Sequence, residues 1–405
     1  MKRFLSLIST IVMIPTAWAA SQIFSIEITN PLDTHRQDVP IVIQAKEIKT
    51  DFDLQSATVY VNDKEIASQA DDLNGDKTID EIAFLVDIAP RQTITAQLIA
   101  SDKIEQSQRY TSRVHAQMLV ATKSKKRPHA PINSISSPTG DLYNYLHHHG
   151  PAFENECVAY RIYFDRKQTV DIYGKFEKGL EIEACGWYPN DEQLAQGFGD
   201  DVLRVSGSCG VGTLKGWNAQ KQKATHIEPV ANRSATIIAE GPIRTIVDIR
   251  VEGWQYGESL LDMTCRYTLY GGHRDAQVDV IFDRPLGSEI FCTGVQDIKG
   301  SQSMSDHKGL IACWGTDWPV NDTIKYAKET VGLATFIPSQ YIVDEKRDKA
   351  NYLYQVSATD KATLRYYITF TSTKESFGYK SADKWFDHTI AWRKELENPC
   401  TVKIK

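Results

Sequence analysis

The sequence has 405 residues, with 46 basic against 52 acidic side chains and a formal net charge of −6. That balance disfavours a nucleic-acid partner, because phosphate binding calls for a basic face. The length exceeds the roughly 250 to 300 residues that one hydrophobic core serves, so at least two domains are expected.

The chain opens with MKRFLSLISTIVMIPTAWAAS. Lys2 and Arg3 precede an apolar run, and Ala17-Trp18-Ala19 has the small-x-small form that signal peptidase cuts after. Residues 1–19 are therefore expected to be a signal peptide, and the protein periplasmic or extracellular. No later stretch approaches the roughly 20 apolar residues of a membrane-spanning helix, so no membrane insertion is expected after cleavage. The seven cysteines, Cys157, Cys185, Cys209, Cys265, Cys292, Cys313 and Cys400, lack CxxC spacing. Buried thiols with room for one disulfide, and no zinc set, are the expectation.

Residues 22–113 carry short runs such as ATVYV and TITAQLIA, rich in Val, Ile and Thr, which predict an immunoglobulin-like β-sandwich. Within it lies DDLNGDKTIDE, residues 71–81. Asp72, Asn74, Asp76 and Asp80 place side-chain oxygens at alternate positions, a spacing that suits a calcium ion taking six to eight oxygens at about 2.3–2.6 Å. Ala83 stands where an EF-hand has its bidentate acid, and Lys77 where such loops favour Gly. The competing reading is an acidic hairpin loop turned by Asn74-Gly75. A calcium here would be structural, since the small domain is expected to lie away from the richest polar strands. No organic cofactor is expected.

Residues 114–140, which include KSKKRPHAPINSISSPTG, show no periodicity and read as a linker or surface loop. Residues 141–405 then form a larger antiparallel β assembly, closed by one helix in SADKWFDHTIAWRKEL, where Trp385, Thr389, Trp392 and Leu396 recur at helical spacing.

The stretch YNYLHHHGPAFENECVAYRIYFDRKQTVDIYGK is the richest in chemistry. Alternation puts Arg161 and Tyr163 on one face of a strand, and a hairpin return puts Asp171, Tyr173 and Lys175 on one face of the next. Such a mixture of donors, acceptors and rings suits a sugar, and equally the wet face of a half-buried sheet. His149, before Gly150-Pro151, is the best acid–base candidate. Glu154 and Glu156 are its carboxylate partners, and Arg161 would neutralise a substrate carboxylate. An extended chain through residue 156 puts both glutamates on the face opposite Arg161, which favours His149, Arg161 and Tyr163 over them. The His147-x-His149 spacing also admits a transition metal.

Further along, Asp201 in GFGDDVLRVSGSCGVGTLKGW and His273 and Arg274 in YGGHRDAQVDV are candidate substrate contacts. The glycines near Cys209 do not match a phosphate loop. Cys209 itself has no partner base nearby in sequence, so a buried structural thiol is the better reading.

FENECVAYRIYFDRKQTVDIYGK, GFGDDVLRVSGSCGVGTL, AEGPIRTIVDIRVEGW and WFDHTIAWRKELENPCTVKI resemble the secreted bacterial family labelled domain of unknown function 4861. ITNPLDTHRQDVPIVI and ADDLNGDKTIDEIAFLVDIAP are similar to the module that precedes it. The resemblance implies an all-β chain whose larger part is a galactose-mutarotase-like supersandwich, of the kind that also occurs in polysaccharide lyases, in a protein associated with polysaccharide breakdown.

Together these readings favour an enzyme of acidic polysaccharide or oligosaccharide breakdown, using lyase-, epimerase- or mutarotase-like proton transfer. A non-catalytic carbohydrate-binding protein is the rival, and a structural partner in a surface complex a third reading. Incubation with acidic oligosaccharides separates the first two.

Overall fold

The structure is a computed structural model that describes residues 20–104, 110–126, 128–324 and 326–405. The proposed signal peptide, residues 1–19, lies outside the described residues.

Alternation at period two builds the N-terminal sandwich. Phe24, Ile26 and Ile28 are buried in Ser21–Thr29, as are Val39, Ile41 and Ile43 in Arg36–Gln44, while their neighbours are more exposed. One sheet runs Thr401–Ile404, Ser21–Thr29, Thr93–Ser101, Ser56–Val61, Lys64–Ile66; the other runs Arg36–Gln44, Glu81–Ile88, Ser68–Asp71. Their shared core includes Ile26, Ile41, Val59, Phe84 and Leu98. Each such side chain contributes about 1.5–3 kcal/mol relative to exposure. The edge strand Thr401–Ile404 comes from the far end of the chain, with Ile404 opposite Ile26.

The larger part is a two-layer antiparallel assembly. One layer is a nine-stranded sheet from Ser134–Ser137 at one edge to Gln302–Ser305 at the other. The second layer is two five-stranded sheets set side by side and joined by bridges at Val170–Gly210 and Val211–Val295. Phe153, Tyr160, Ile162 and Ile172 of the second layer meet Val247, Ile249, Tyr267, Val278 and Ile368 of the nine-stranded sheet in one core. The all-β expectation with a C-terminal helix therefore holds. Residues 114–140 are not a linker: Val114–Gln117, Leu119–Ala121, His129–Pro131 and Ser134–Ser137 are strands, and the first and last belong to the two layers. Their Ser and Pro content hid them, because edge strands this short carry too few buried residues to show alternation.

The helix Ala382–Glu397 starts at Ser381, whose side chain accepts the Lys384 N–H. Trp385 and Trp392 bury its inner face against Leu310–Asp317 and Glu329–Phe336. A side chain at Gly332 would place its Cβ 2.7 Å from the Trp385 indole, so only glycine allows this approach. Among the described residues no helix is long and apolar enough to cross a membrane. All seven cysteines are free thiols, so the room left for a disulfide is not used.

Buried polar contacts lock the two parts together. Arg244 Nε donates to Asp71 Oδ2 at 2.7 Å, and Nη2 lies 2.9 Å from Glu81 Oε2. Gln69 accepts the N–H groups of Ile243 and Arg244 at 3.2 and 3.1 Å. Arg266 Nη2 donates to the Leu73 carbonyl at 3.0 Å. The acidic loop therefore lies against the outward face of the nine-stranded sheet. This corrects its expected placement away from the polar strands, since domain docking rather than chain distance decides the neighbourhood.

Candidate functional site

Ala159–Ile162 pairs with Val170–Gly174 so that Arg161 stands opposite Asp171 and Ala159 opposite Tyr173. One face of this hairpin feeds the main core through Tyr160, Ile162 and Ile172. The other face carries Arg161, Asp171 and Tyr173, and Asp201 joins it opposite Tyr173. A short helix, Ile182–Cys185, covers that face with Ile182 and Cys185 and is followed by the wholly buried Trp187.

Arg161 sits at the centre, with a side chain only 4% exposed. Nε and Nη2 donate to Asp171 Oδ2 at 3.0 and 2.6 Å, and Nη2 also donates to Asp201 Oδ2 at 2.8 Å and Tyr163 Oη at 2.9 Å. Nη1 donates to Tyr188 Oη at 2.8 Å, and the guanidinium lies 4.6 Å from the centre of the Trp187 ring. Burial, and then the charge of Asp171, push the Asp201 carboxyl up to about 8. Tyr163 donates to Asp171 Oδ2 at 2.7 Å, and burial holds its hydroxyl far above the ordinary tyrosine value. Arg161 therefore does not take a substrate carboxylate as expected: it is buried, and two acids and two tyrosines of the chain already surround its guanidinium.

His149 lies at the rim of this cluster. Its Nδ1 is 2.9 Å from the Tyr143 carbonyl, which can only accept, so Nδ1 carries the proton and Nε2 holds the lone pair. The ring stacks flat on Tyr143, 3.9 Å between centres and 2° between planes. Tyr163 and Tyr188 stand 6.2 and 6.4 Å away. Burial foremost, with Arg161 adding, holds the His149 pKa below the ordinary imidazole value. The backbone of His149 has φ +63°, a left-handed conformation that costs a non-glycine residue about 1–3 kcal/mol and persists where surroundings enforce it. They do so here: Phe164 N–H bonds the His149 carbonyl at 2.8 Å, and a Cβ on Gly150 would fall 1.8 Å from the Ile162 carbonyl. Lys167 lies 5.5 and 5.4 Å from the ring centres of Tyr143 and Tyr163 and pairs with Asp165 at 3.1 Å.

The other expected site residues are elsewhere. Glu154 shares the Arg161 face rather than the opposite one, because the tight turn Asn155–Val158 reverses the parity that an extended chain would keep. Its carboxylate is buried, accepting the N–H groups of Glu181 and Ile182 at 2.9 and 2.7 Å and the Lys175 ammonium. Lys175 also donates to the Gly179 carbonyl. Tyr173 donates to Glu181 at 2.8 Å. Glu156 pairs with Arg113, which also holds Asp38, at the junction of the two parts. His273 Nε2 is 2.7 Å from the Asp38 carbonyl, and Arg274 pairs with Glu375 at 2.7 Å. These groups are held by the chain itself: Glu154 and Glu156, expected as acid–base partners, and Tyr173, Lys175, His273 and Arg274, expected as substrate contacts, are engaged by protein groups, as Asp171 and Asp201 are by Arg161.

In the acidic loop, Asp72 accepts the N–H groups of Gly75 and Lys77, both at 2.7 Å, Asn74 that of Asp76 at 2.8 Å, and Asp80 that of Leu73 at 2.7 Å. Lys77 has φ +72°, the conformation a glycine would take more readily. Among the described residues no group of three or more His, Cys, Asp and Glu is arranged to hold a metal ion, around the His147-x-His149 pair or in the acidic loop. Burial pushes the Cys209 thiol up to about 12, leaving no thiolate nucleophile at neutral pH.

Tyr143, Lys167, Trp187 and Tyr188 complete the cluster, and none was singled out from the sequence. Trp187 and Tyr188 fall in CGWYPN, which has no periodicity. A cavity of about 900 Å³ lies away from this cluster at the junction of the two parts, where Asp71 and Glu240 already pair with Arg244 and His115.

A family model described as Domain of unknown function (DUF4861) matches residues 28–402. No curated protein matches the sequence. Two solved structures are similar in backbone: a protein in the glycosyl hydrolase family 38 from Enterococcus faecalis, at 10% identity, TM-score 0.49, with 95% of this chain and 47% of that one covered; and an alpha-mannosidase from Enterococcus faecalis V583, at 11% identity, TM-score 0.48, with 95% and 46% covered. This chain thus spans about half the length of those proteins. No site residue transfers at such identities.

Proposed function

The chain belongs to the DUF4861 family over residues 28–402, and on that footing we propose that it is an exported protein acting on acidic oligosaccharides by proton transfer. The observation that carries the reading is the His149 ring, held in one tautomer by the Tyr143 carbonyl at 2.9 Å with its Nε2 lone pair left to accept a proton. Tyr188, a residue 44% exposed whose hydroxyl accepts from Arg161, is the matching acid. In an elimination, Nε2 takes the proton from the carbon beside the sugar carboxylate. The C–O bond breaks as the double bond forms, and Tyr188 protonates the departing oxygen. The Arg161 guanidinium, donating to Tyr188 Oη, steadies the phenolate that remains. Lys167 takes the role of binding the carboxylate. Epimerase and mutarotase chemistry use the same acid–base pair without loss of the leaving group.

Incubation with pectic, ulvan-like and alginate oligosaccharides tests this. New unsaturated or reducing ends that vanish in His149→Ala support it, and no turnover of any of them overturns the enzymatic reading. Non-catalytic sugar binding is the second reading, favoured by the buried, fully paired state of Arg161; calorimetric binding without turnover supports it. Export is tested by the mass of the protein recovered outside the cytoplasm, which should begin at Ala20. Calcium at the 72–80 loop is a separate structural proposal, in which Asp72, Asp76 and Asp80, not gathered around one point as the loop stands, turn from their N–H contacts toward the ion. Its side-chain oxygens need main-chain carbonyls and water to reach six ligands.

A further inference from the structure

Away from the His149 cluster, a cavity of about 570 Å³ opens on the outward face of the nine-stranded sheet. Alternation along Thr363–Ser372 turns Thr363, Arg365 and Tyr367 outward while Leu364, Tyr366 and Ile368 enter the core. Register partners carry a row of charge across four strands, Asp248, Arg266, Asp279 and Arg365. The N-terminal sandwich covers the middle of the row through Leu73 on Arg266. The Arg365 end stays open, walled by Gln340 on one side and by the last turn of the C-terminal helix with Glu397 on the other.

We propose that this cavity binds an uncharged sugar residue of a glycan chain. Arg365 uses Nε and Nη2 on Asp279, at 2.6 and 3.2 Å, and among the described residues its Nη1 takes part in no hydrogen bond of the protein. The same holds for the Tyr367 hydroxyl and the Gln340 amide, so donors and acceptors are both on offer. Tyr367 lies parallel to Phe336, 6.4 Å between centres and 16° between planes, which fixes its ring as part of the cavity floor. Charge selects the occupant. Asp279 neutralises Arg365, Arg393 neutralises Glu397 on the rim at 3.0 Å, and the carbonyl end of the helix disfavours an anion. A neutral ring, stacked on Tyr367 with its hydroxyls on Arg365 Nη1 and Gln340, meets no unpaired charge.

This inference rests on the reading that the protein acts on glycans and adds a second, neutral subsite to it. The test is calorimetric titration of the full mature chain with hexaoses of galactan, mannan and xylan. At least one is expected to bind, with affinity falling about tenfold in Tyr367→Ala, which also lowers the melting midpoint through loss of the Phe336 contact, and about fivefold in the exposed Gln340→Ala at an unchanged midpoint. Binding that is equal in wild type and both variants overturns the inference, as does no binding of any neutral hexaose. If acidic oligosaccharides are still turned over while no neutral hexaose binds, the subsite alone fails. If a hexaose binds through Tyr367 while no acidic substrate is processed, the subsite stands and the proton-transfer reading falls.

Discussion

Arg161 and Asp171 stand opposite one another on adjacent strands, with Nη2 and Oδ2 2.6 Å apart on a buried sheet face. Asp201 approaches the same nitrogen at 2.8 Å. Removing the cation leaves two carboxyls without their partner in a dry place, which costs more than the lost attraction alone. Arg161→Met is therefore expected to lose about 3–5 kcal/mol of stability in urea unfolding. A loss below about 1 kcal/mol would mean water reaches the cluster.

Asp201 gives the same cluster a pH signature. A carboxyl whose pKa is higher folded than unfolded keeps its proton in the folded chain after the unfolded chain has released its own, so its contribution turns unfavourable as pH rises. The window opens near the ordinary aspartate value of 3.8 and closes near the folded value of about 8. Asp201→Asn removes this titration. Relative to wild type, the variant should gain stability steadily across that interval, measured as melting midpoints in matched buffers. A constant difference from acid to neutral pH would contradict the burial assigned to Asp201.

Because burial depresses the His149 pKa, the neutral imidazole survives into more acidic solution than an exposed one. The acid limb of kcat/KM on an acidic oligosaccharide should inflect below the ordinary value of 6.5, and His149→Ala should lower the rate by about 100- to 10,000-fold. Tyr188→Phe, which keeps the ring and loses the acid, should lower kcat with little change in KM. An inflection above the ordinary value would remove His149 from the role of base.

The hairpin around Arg161 was legible because strict alternation survives in CVAYRIYF and TVDIYGK, and a period of two fixes which side chains share a face. Glu154 was misplaced by one tight turn, since parity carries across an extended chain and not across the reversal at Asn155–Val158. Trp187 and Tyr188 were missed for a different reason: a loop that folds back over a sheet leaves no periodic trace. Neither the pairing of Thr401–Ile404 with Ser21–Thr29 nor the docking of Leu73 on Arg266 was readable, because contacts between distant segments depend on how whole layers meet.

The acidic loop admits a direct test. An ion that binds only the folded chain raises its stability by mass action. At calcium well above its dissociation constant the melting midpoint should rise, and chelator should reverse the rise. Asp72→Ala should abolish the response, since Asp72 alone ties Gly75 and Lys77 to the turn. No shift with calcium would leave the loop as a hydrogen-bonded acidic turn.

Arg244 sets how far that loop and the large sheet behave as one body. It is nearly inaccessible, and it reaches across the domain junction to Asp71 and Glu81, the residues that bracket the loop on either side. Cutting this contact leaves both acids facing a buried gap while the sandwich core around Ile41 and Phe84 is untouched. Arg244→Met should therefore lower stability by about 3–5 kcal/mol and separate one cooperative calorimetric transition into two, the sandwich melting apart from the larger assembly. Arg266→Met, which loses the Leu73 carbonyl and half of the Asp248 pair, should act in the same direction with a smaller effect, because its side chain is 17% exposed. A single transition in both variants, merely shifted, would show that the sheet edge closed by Thr401–Ile404 couples the two parts more strongly than Arg244 does.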